Sequence, residues 1–308
     1  MKKQNKIYYS IFILLFTLLI SLFVVASFYD LKISMAIVDF NNKFAMLCAN
    51  FGEMPSWILI GLCGVILFKL SKLVDKRVHK ILALIFSIIF ILVSTFFIFN
   101  QMRSRWNGLN IHILLKLLIA IILEALILLF GFKFININEK EMLLKVLIII
   151  ITTYVLGLLI MLVMKEIWLR PRYRLIYSGV ESYSVNELFR AWYEPGKGLA
   201  YSLKDKFIDG SSDQFKSFPS GHSFGSMIAI LLIYILDLNN RTKDKESVKY
   251  IVLVISILYG LMIALSRILY GAHYLSDVVF GGFIASLASF IIPNIVLKVF
   301  KNVKASKA

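Results

Sequence analysis

The sequence predicts an all-α protein, a polytopic bundle of about eight transmembrane helices. Hydrophobic residues make up 59% of the 308 residues, and the mean hydropathy is +0.82. Soluble domains rarely reach this apolar fraction, and several runs approach the ~20 residues that cross a bilayer. The formal net charge of +16 fits this class, since membrane proteins collect Lys and Arg in cytoplasmic loops. Nucleic acid is therefore not an expected partner.

The predicted spans follow from the apolar runs in chain order. The first run follows Lys6 and is too long for the apolar region of a cleaved signal peptide, so we expect it to remain as a helix. The amphipathic residues 31–44 are expected as a surface helix or a loop. Cys48 and Cys63 have no metal-site spacing and predict no disulfide. The eight predicted spans cover residues 7–28, 52–70, 81–99, 113–132, 142–164, 219–238, 250–265 and 275–299.

The polar stretches between these spans set the expected domain organisation. Residues 1–141 are expected as N-terminal transmembrane helices, residues 142–299 as a core with the motifs described below, and residues 300–308 as a basic cytoplasmic tail. A polar stretch of about fifty residues, 165–219, separates two spans, and a loop of this length is usually functional or disordered. We expect its aromatic part, residues 189–198, to control access to a site.

The loop charges predict a cytoplasmic N-terminus. Lys and Arg concentrate in segments that then face the cytoplasm, such as residues 72–80 and 241–249. With this orientation three polar places, residues 165–172, 220–222 and 267–277, face the outside together. We therefore expect a multi-pass protein of the cell membrane with an extracytoplasmic site.

Residues 266–277 place an arginine, a histidine and an aspartate between two apolar runs. His273 and Asp277 are four residues apart, so on a helix they lie one turn apart on the same face. A carboxylate there can hold an imidazole in one tautomer and stabilise its charged form. Arg267 is a permanently charged fork suited to a phosphate. Taken alone, the stretch is equally typical of a structural Asp277–Arg267 ion pair beside an interfacial histidine.

Three cations, Lys165, Arg170 and Arg172, lie at the end of the fifth predicted span. Such a cluster is typical of an edge that binds lipid head groups. It is equally typical of an anion clamp that neutralises phosphate oxygens in a transition state. The segment alone leaves both interpretations open.

Residues 219–222, Pro-Ser-Gly-His, predict the start of a helix, because proline suits a first helical turn. Ser220 and Gly221 would present backbone N–H groups at the positive end of the helix dipole, where a phosphate is well held. His222 would be placed to donate a proton to a leaving oxygen. The alternative is an ordinary capped transmembrane helix, but three complementary motifs favour a catalytic site.

Together the three motifs resemble the signature of the type 2 phosphatidic acid phosphatase family, whose superfamily also includes vanadium haloperoxidases. The family's first motif commonly ends Arg-Pro, whereas here Tyr173 follows Arg172 and the proline is Pro171. The resemblance implies a six-helix phosphatase core with a metal-independent, cofactor-free site, to which the third and fourth spans add a hairpin. The motifs are Lys165-x6-Arg172, Pro219-Ser220-Gly221-His222 and Ser266-Arg267-x5-His273-x3-Asp277.

The resemblance also implies a role for each site residue. His273 resembles the nucleophile that attacks phosphorus to form a phosphohistidine, and Asp277 resembles its orienting partner. His222 resembles the general acid for the departing group, which later activates water. The phosphoryl oxygens would be held by Lys165, Arg172, Ser220, Gly221 and Arg267.

We therefore expect an enzyme of the bilayer that hydrolyses a phosphomonoester or diphosphate lipid, such as undecaprenyl diphosphate, phosphatidic acid or phosphatidylglycerol phosphate. One alternative is a lipid-linked phosphotransferase that uses the same histidine. Another is a non-catalytic lipid-binding or transport protein, but binding alone needs no ordered acid and nucleophile. Glu124 lies mid-span, where a charge is costly and often functional. Because Glu124 lies outside the resemblance, we expect it to have a structural role.

Overall fold

The computed structural model describes residues 3–105, 111–180 and 183–305, and these residues form helices without a β-strand. Within these ranges seven helical segments are long and apolar enough to cross a membrane. The prediction of an all-α polytopic bundle is therefore confirmed. Residues 106–110, between the third and fourth predicted spans, and residues 306–308 of the predicted basic tail lie outside the described ranges.

The helices are numbered here in chain order. Seven of the predicted spans correspond to long apolar segments, with α2 and α3 forming one of them. The remaining predicted span, 219–238, is a shorter apolar segment in which a 3-10 turn separates α10 from α11. The bounds are α1 Lys3–Ile37, α2 Lys43–Phe51, α3 Met54–Ser71, α4 Arg77–Arg105, α5 Ile113–Phe134, α6 Lys140–Trp168, α7 Tyr173–Ser178, α8 Val185–Leu188, α9 Leu199–Ser202, α10 Gly221–Met227, α11 Leu232–Leu236, α12 Glu246–Leu269 and α13 Leu275–Ala305.

The prediction of a separate surface segment at residues 31–44 is wrong for its first half, because α1 continues through Ile37. The helix continues because two of the polar side chains that suggested its end, Asp30 and Ser34, are buried inside the fold, at 4% and 0% exposure. After the helix, the Asp39 N–H donates to the carbonyl of Leu269 at 2.9 Å. Asn42 then caps α2 by accepting from the Ala45 N–H at 2.9 Å.

The described chain forms two compact units, each built from separate stretches of sequence. The first unit contains α1, the end of α6, the long stretch 165–219, α10 and the α12–α13 junction. The described residues of the stretch 165–219 contribute to a buried core, in which Tyr173, Ile176 and Phe215 pack together with Tyr274 from the turn before α13. Within its aromatic part, the Trp192 side chain donates to Ser27 Oγ on α1 at 3.0 Å.

The second unit contains α3, α4 and α5, which pack against one another. Glu124 of α5 is 3% exposed, and its Oε2 lies 2.6 Å from Ser94 Oγ of α4. The same Ser94 hydroxyl lies 3.0 Å from the carbonyl oxygen of Trp57 in α3. Glu124 thus links three helices, in agreement with the structural role expected for it.

Candidate active site

The end of α6 positions two of the three cations that are expected to hold the phosphoryl oxygens. These three, Lys165, Arg172 and Arg267, are called the clamp cations below. The helix ends at Trp168, and Leu169 takes a left-handed φ of 46° that turns the chain away from the helix axis. Lys165 lies in the last turn, and its Nζ donates to the carbonyl of Lys216 at 2.8 Å. Arg172 Nη2 lies 3.0 Å from Asp213 Oδ2. Both cations are therefore anchored to the segment that leads into the second motif.

The second motif begins its helix at Gly221, two residues later than the proline suggested. Ser220 precedes the helix and acts as its cap, since its Oγ accepts from the Ser223 N–H at 3.3 Å. The Ser220 N–H donates to the Asp277 carbonyl at 2.9 Å, which joins the second motif to the third. A Cβ at Gly281 would clash with the Ser220 carbonyl, so α13 packs directly against this backbone.

The third motif forms the turn between α12 and α13. Arg267 lies in the last turn of α12 and is fully buried, and its carbonyl accepts from the His273 N–H at 3.3 Å. Gly271 has a φ of +64°, and a side chain there would meet Phe40, so the turn requires glycine. His273 precedes α13, which begins at Leu275 where the eighth predicted span starts, so His273 and Asp277 do not share one helix. They are brought together by a turn.

The His273 ring is buried, with 1% exposure, and its Nδ1 lies 2.7 Å from the carbonyl oxygen of Ser217. A carbonyl oxygen only accepts, so this contact requires the ring hydrogen on Nδ1 and leaves the lone pair on Nε2. Asp277 Oδ2 lies 3.7 Å from the same Nδ1, which is ion-pair distance but too long for a hydrogen bond. The Ser217 carbonyl therefore sets the tautomer of the ring.

Asp277 is held by other groups. Its Oδ2 accepts from Ser217 Oγ at 2.5 Å and from the Tyr274 N–H at 2.8 Å. Its Oδ1 lies 2.5 Å from Arg170 Nη1. The cation that pairs with Asp277 is thus Arg170, and the structural pairing with Arg267 that the sequence left open is not the one formed.

Two residues of this network were missed from the sequence. Ser217 lies just outside the second motif, and Asp30 belongs to α1, far from all three motifs. Asp30 Oδ2 lies 2.9 Å from Arg170 Nη2, so the two terminal nitrogens of the guanidinium pair with different carboxylates. An acidic residue at the end of a strongly apolar run was the available signal for Asp30, because a charge there needs a partner.

The three predicted clamp cations act together on His273. Burial is the largest cause that lowers the pKa of His273 well below its ordinary value, and the charges of Arg172, Lys165 and Arg267 lower it further. The ring is thus neutral, with a lone pair on Nε2 and cations around it. His222 is also buried, and its ring lies beside Gly52, where a Cβ would approach to 3.2 Å. Such a site suits nucleophilic attack on an anionic phosphate.

We expect Lys165→Met to move the acidic limb of the profile of kcat/KM against pH to higher pH. The Lys165 charge opposes protonation of His273, so its removal raises the pKa of His273 towards the ~6.5 of a free histidine. Because only the neutral ring is nucleophilic, activity would then be lost at a higher pH on acidification. The matched control is Lys206→Met at an exposed lysine, which should leave the limb in place. A limb that stays fixed or moves to lower pH in Lys165→Met would contradict this assignment.

A family model described as the PAP2 superfamily matches residues 143–301, just over half of the chain. Searches of curated proteins and of solved structures returned no match. The matched region includes all three motifs, and it confirms the resemblance to the type 2 phosphatidic acid phosphatases. The chain therefore belongs to the PAP2 superfamily, as a phosphatase of the lipid phosphatase and haloperoxidase type.

Proposed function

We propose that the protein is a membrane phosphatase that hydrolyses a phosphomonoester or diphosphate lipid through a phosphohistidine at His273. The observation that carries this proposal is the environment of His273. Its ring is buried and neutral, has a hydrogen bond that leaves Nε2 unprotonated, and is influenced by three motif cations. A ring held only for structural reasons would not need this surplus of positive charge.

The proposed reaction has two steps. In the first, Nε2 of His273 attacks phosphorus, the bond from phosphorus to the departing oxygen breaks, and His222 gives that oxygen a proton. In the second, His222 takes a proton from water, the resulting hydroxyl attacks phosphorus, and the P–N bond breaks to return its electron pair to Nε2. Lys165, Arg172 and Arg267 stabilise the charge on the phosphoryl oxygens in both steps.

The first unit also offers a place for an apolar chain. A cavity of about 300 Å³ lies between α1, α10, α12 and α13, and its walls are almost entirely apolar. One lining residue, Ser223, lies 3.1 Å by its Oγ from Ser220 Oγ in the second motif, so the cavity approaches the phosphate site. This continuity supports a lipid phosphate in preference to a small water-soluble phosphate.

We expect Ala264→Phe to lower turnover of a long-chain lipid phosphate by about tenfold relative to a short-chain analogue, because the ring would fill the cavity. The ratio of the two kcat/KM values in one detergent is the measurement. Leu258→Phe is the matched control, since Leu258 lies on the same helix at 59% exposure and outside the cavity lining. An unchanged ratio in Ala264→Phe would argue against this cavity as the lipid site.

The charge pattern supports a site outside the cytoplasm, and a diphosphate lipid such as undecaprenyl diphosphate would suit that side. We therefore expect Ile208→Cys to react with a membrane-impermeant maleimide in intact cells. Ile208 is 99% exposed, and the native Cys48 and Cys63 are buried. Asp244→Cys, in the segment expected on the cytoplasmic side, should react only after permeabilisation. Labelling of Asp244→Cys but not Ile208→Cys in intact cells would reverse the proposed orientation.

The experiment that tests the proposed function is phosphate release by the purified protein in detergent with EDTA. Undecaprenyl diphosphate, phosphatidic acid and phosphatidylglycerol phosphate are offered separately, without an acceptor. Release from one or more of them is expected. Release that requires an added lipid or sugar acceptor would favour a phosphotransferase, and lipid binding without release would favour a binding protein.

A further inference from the structure

A buried cluster of three charges lies beside the site, formed by Asp30, Arg170 and Asp277. The Arg170 side chain is fully buried and lies between the two carboxylates, which are themselves at most 4% exposed. Nη2 faces Asp30 Oδ2 at 2.9 Å, and Nη1 faces Asp277 Oδ1 at 2.5 Å. The cluster therefore contains one cation and two groups that are ordinarily anionic, from three distant parts of the chain.

Arg170 has no place for a phosphate, in contrast to the role expected of the neighbouring cations. Its Nε donates to the Arg190 carbonyl at 2.8 Å, and Nη1 also donates to Ser276 Oγ at 2.7 Å. The Tyr274 ring covers its face, with the ring centroid 4.2 Å from Cζ. The guanidinium is thus occupied along its edges and covered on a face, which indicates a role within the protein.

Asp30 does more than neutralise Arg170. Its Oδ1 accepts from the Ser276 N–H at 2.9 Å, and its Oδ2 contacts the Ser276 hydroxyl. Ser276 belongs to the first turn of α13, next to Asp277. Asp30 therefore contacts both Arg170, which binds Asp277, and the first turn of α13, which contains Asp277.

The cluster is hydrogen-bonded to His273 by way of Ser217. Asp277 Oδ2 accepts from the Ser217 hydroxyl at 2.5 Å, and the Ser217 carbonyl accepts from His273 Nδ1 at 2.7 Å. A displacement of Asp277 would thus move Ser217, and with it the acceptor that orients the ring. Errors of about 1 Å in the position of a reacting group can cost about a hundredfold in rate.

We propose that Arg170 and Asp30 are positioning residues for the phosphoryl transfer at His273. Asp30 fixes the position of the Arg170 side chain, and Arg170 fixes the position of the Asp277 carboxylate. Asp277 in turn acts through Ser217 on the orientation of the imidazole. This inference rests on the proposed function, because it assigns a role in the same reaction. Neither residue touches the substrate, so the expected loss is in kcat, with KM little changed.

Charge balance dictates which variants can test the proposal. Arg170→Gln alone would leave two buried carboxylates facing each other without a cation, and this variant is expected to fold poorly. The double variant Asp30→Asn/Arg170→Gln removes one charge of each sign and is expected to fold. Glu141→Gln/Lys145→Gln is a matched control, because that pair is also joined at 2.6 Å but Glu141 is 48% exposed.

The experiment measures kcat, KM and thermal unfolding for the wild type, the double variant and the control pair, with the lipid phosphate that the wild type hydrolyses. We expect the double variant to unfold within a few degrees of the wild type, with kcat lower by about tenfold to a hundredfold and KM within about twofold. The control pair should match the wild type in all three quantities. A folded double variant with the wild-type kcat would overturn the proposal.

Two further results complete the test. If the double variant does not fold, kcat and KM of the single variant Asp30→Asn are measured instead, because this variant keeps Arg170 and Asp277 paired. A severalfold lower kcat at unchanged KM supports the proposal, and a wild-type kcat overturns it. If the wild type itself releases no phosphate from any lipid tested, the proposed function fails first, and the positioning role fails with it.

Discussion

Replacing His273 by alanine is expected to reduce phosphate release by at least about a thousandfold, since loss of a nucleophile removes the pathway through the covalent intermediate. The variant should still fold, because among the described residues it loses one side-chain hydrogen bond, from His273 Nδ1 to the Ser217 carbonyl. It should also still bind phosphate through the clamp cations. The measurement is single-turnover release from saturating lipid phosphate, with thermal unfolding recorded on the same preparation.

The matched control for this experiment is His79→Ala, at an exposed histidine on α4 in the second unit. It should release phosphate at the wild-type rate. A His273→Ala protein that is folded and keeps more than about a tenth of the activity would rule out His273 as the nucleophile. Direct attack by water on the phosphate would then be the better explanation.

Replacing His222 by alanine is expected to lower turnover of a lipid phosphate by about a hundredfold to ten-thousandfold, the usual contribution of a general acid. The loss should depend on the leaving group. A phenolate with electron-withdrawing groups leaves without a proton. In His222→Ala an activated aryl phosphate should therefore form the phosphohistidine at nearly the wild-type rate. The second step would still lack the base that activates water, and phosphorylated protein would accumulate.

The activated aryl phosphate is the control for this prediction, because it is tested on the same variant protein as the alkyl lipid phosphate. In the wild type the two substrates should differ modestly, and in His222→Ala they should differ strongly in the first step. An equal loss for both leaving groups would assign His222 a structural or substrate-binding role. The close packing of its ring beside Gly52 would then be the relevant observation.

The motif residues could be predicted from the sequence because their chemistry is encoded over short distances. Lys165 and Arg172 are separated by one helix end, and His273 and Asp277 by one turn. All three clamp cations lower the pKa of His273 in the structure. Such local patterns can be recognised in the sequence without knowing how distant helices pack.

The partners of Asp277 could not be predicted, because they come from distant parts of the chain. Asp30 and Arg170 are 140 positions apart, and only the packing of α1 beside the end of α6 brings them together. Ser217 was missed for a related reason, since the group that orients His273 is its backbone carbonyl. Every residue has such a carbonyl, so no side-chain pattern reveals this contact.

The length of α1 could not be predicted from the sequence either, because it also depends on a contact with a distant residue. Hydropathy places its end near Phe28, where polar residues begin, yet the helix runs to Ile37. Asp30 and Ser34 are buried within it, at 4% and 0% exposure. Asp30 does not end the helix because it pairs with the buried Arg170, and hydropathy alone does not reveal such a partner.

The most direct test of the account is to trap the phosphorylated protein. A lipid phosphate labelled on phosphorus is mixed with wild-type protein in EDTA, quenched with alkali within the first turnover, and the modified residue is located by mass spectrometry. The account predicts an alkali-stable, acid-labile phosphoryl group on His273, and none in His273→Ala. A phosphoryl group on another residue, or phosphate release by the wild type with no phosphohistidine trapped in either the wild type or His222→Ala, would contradict it.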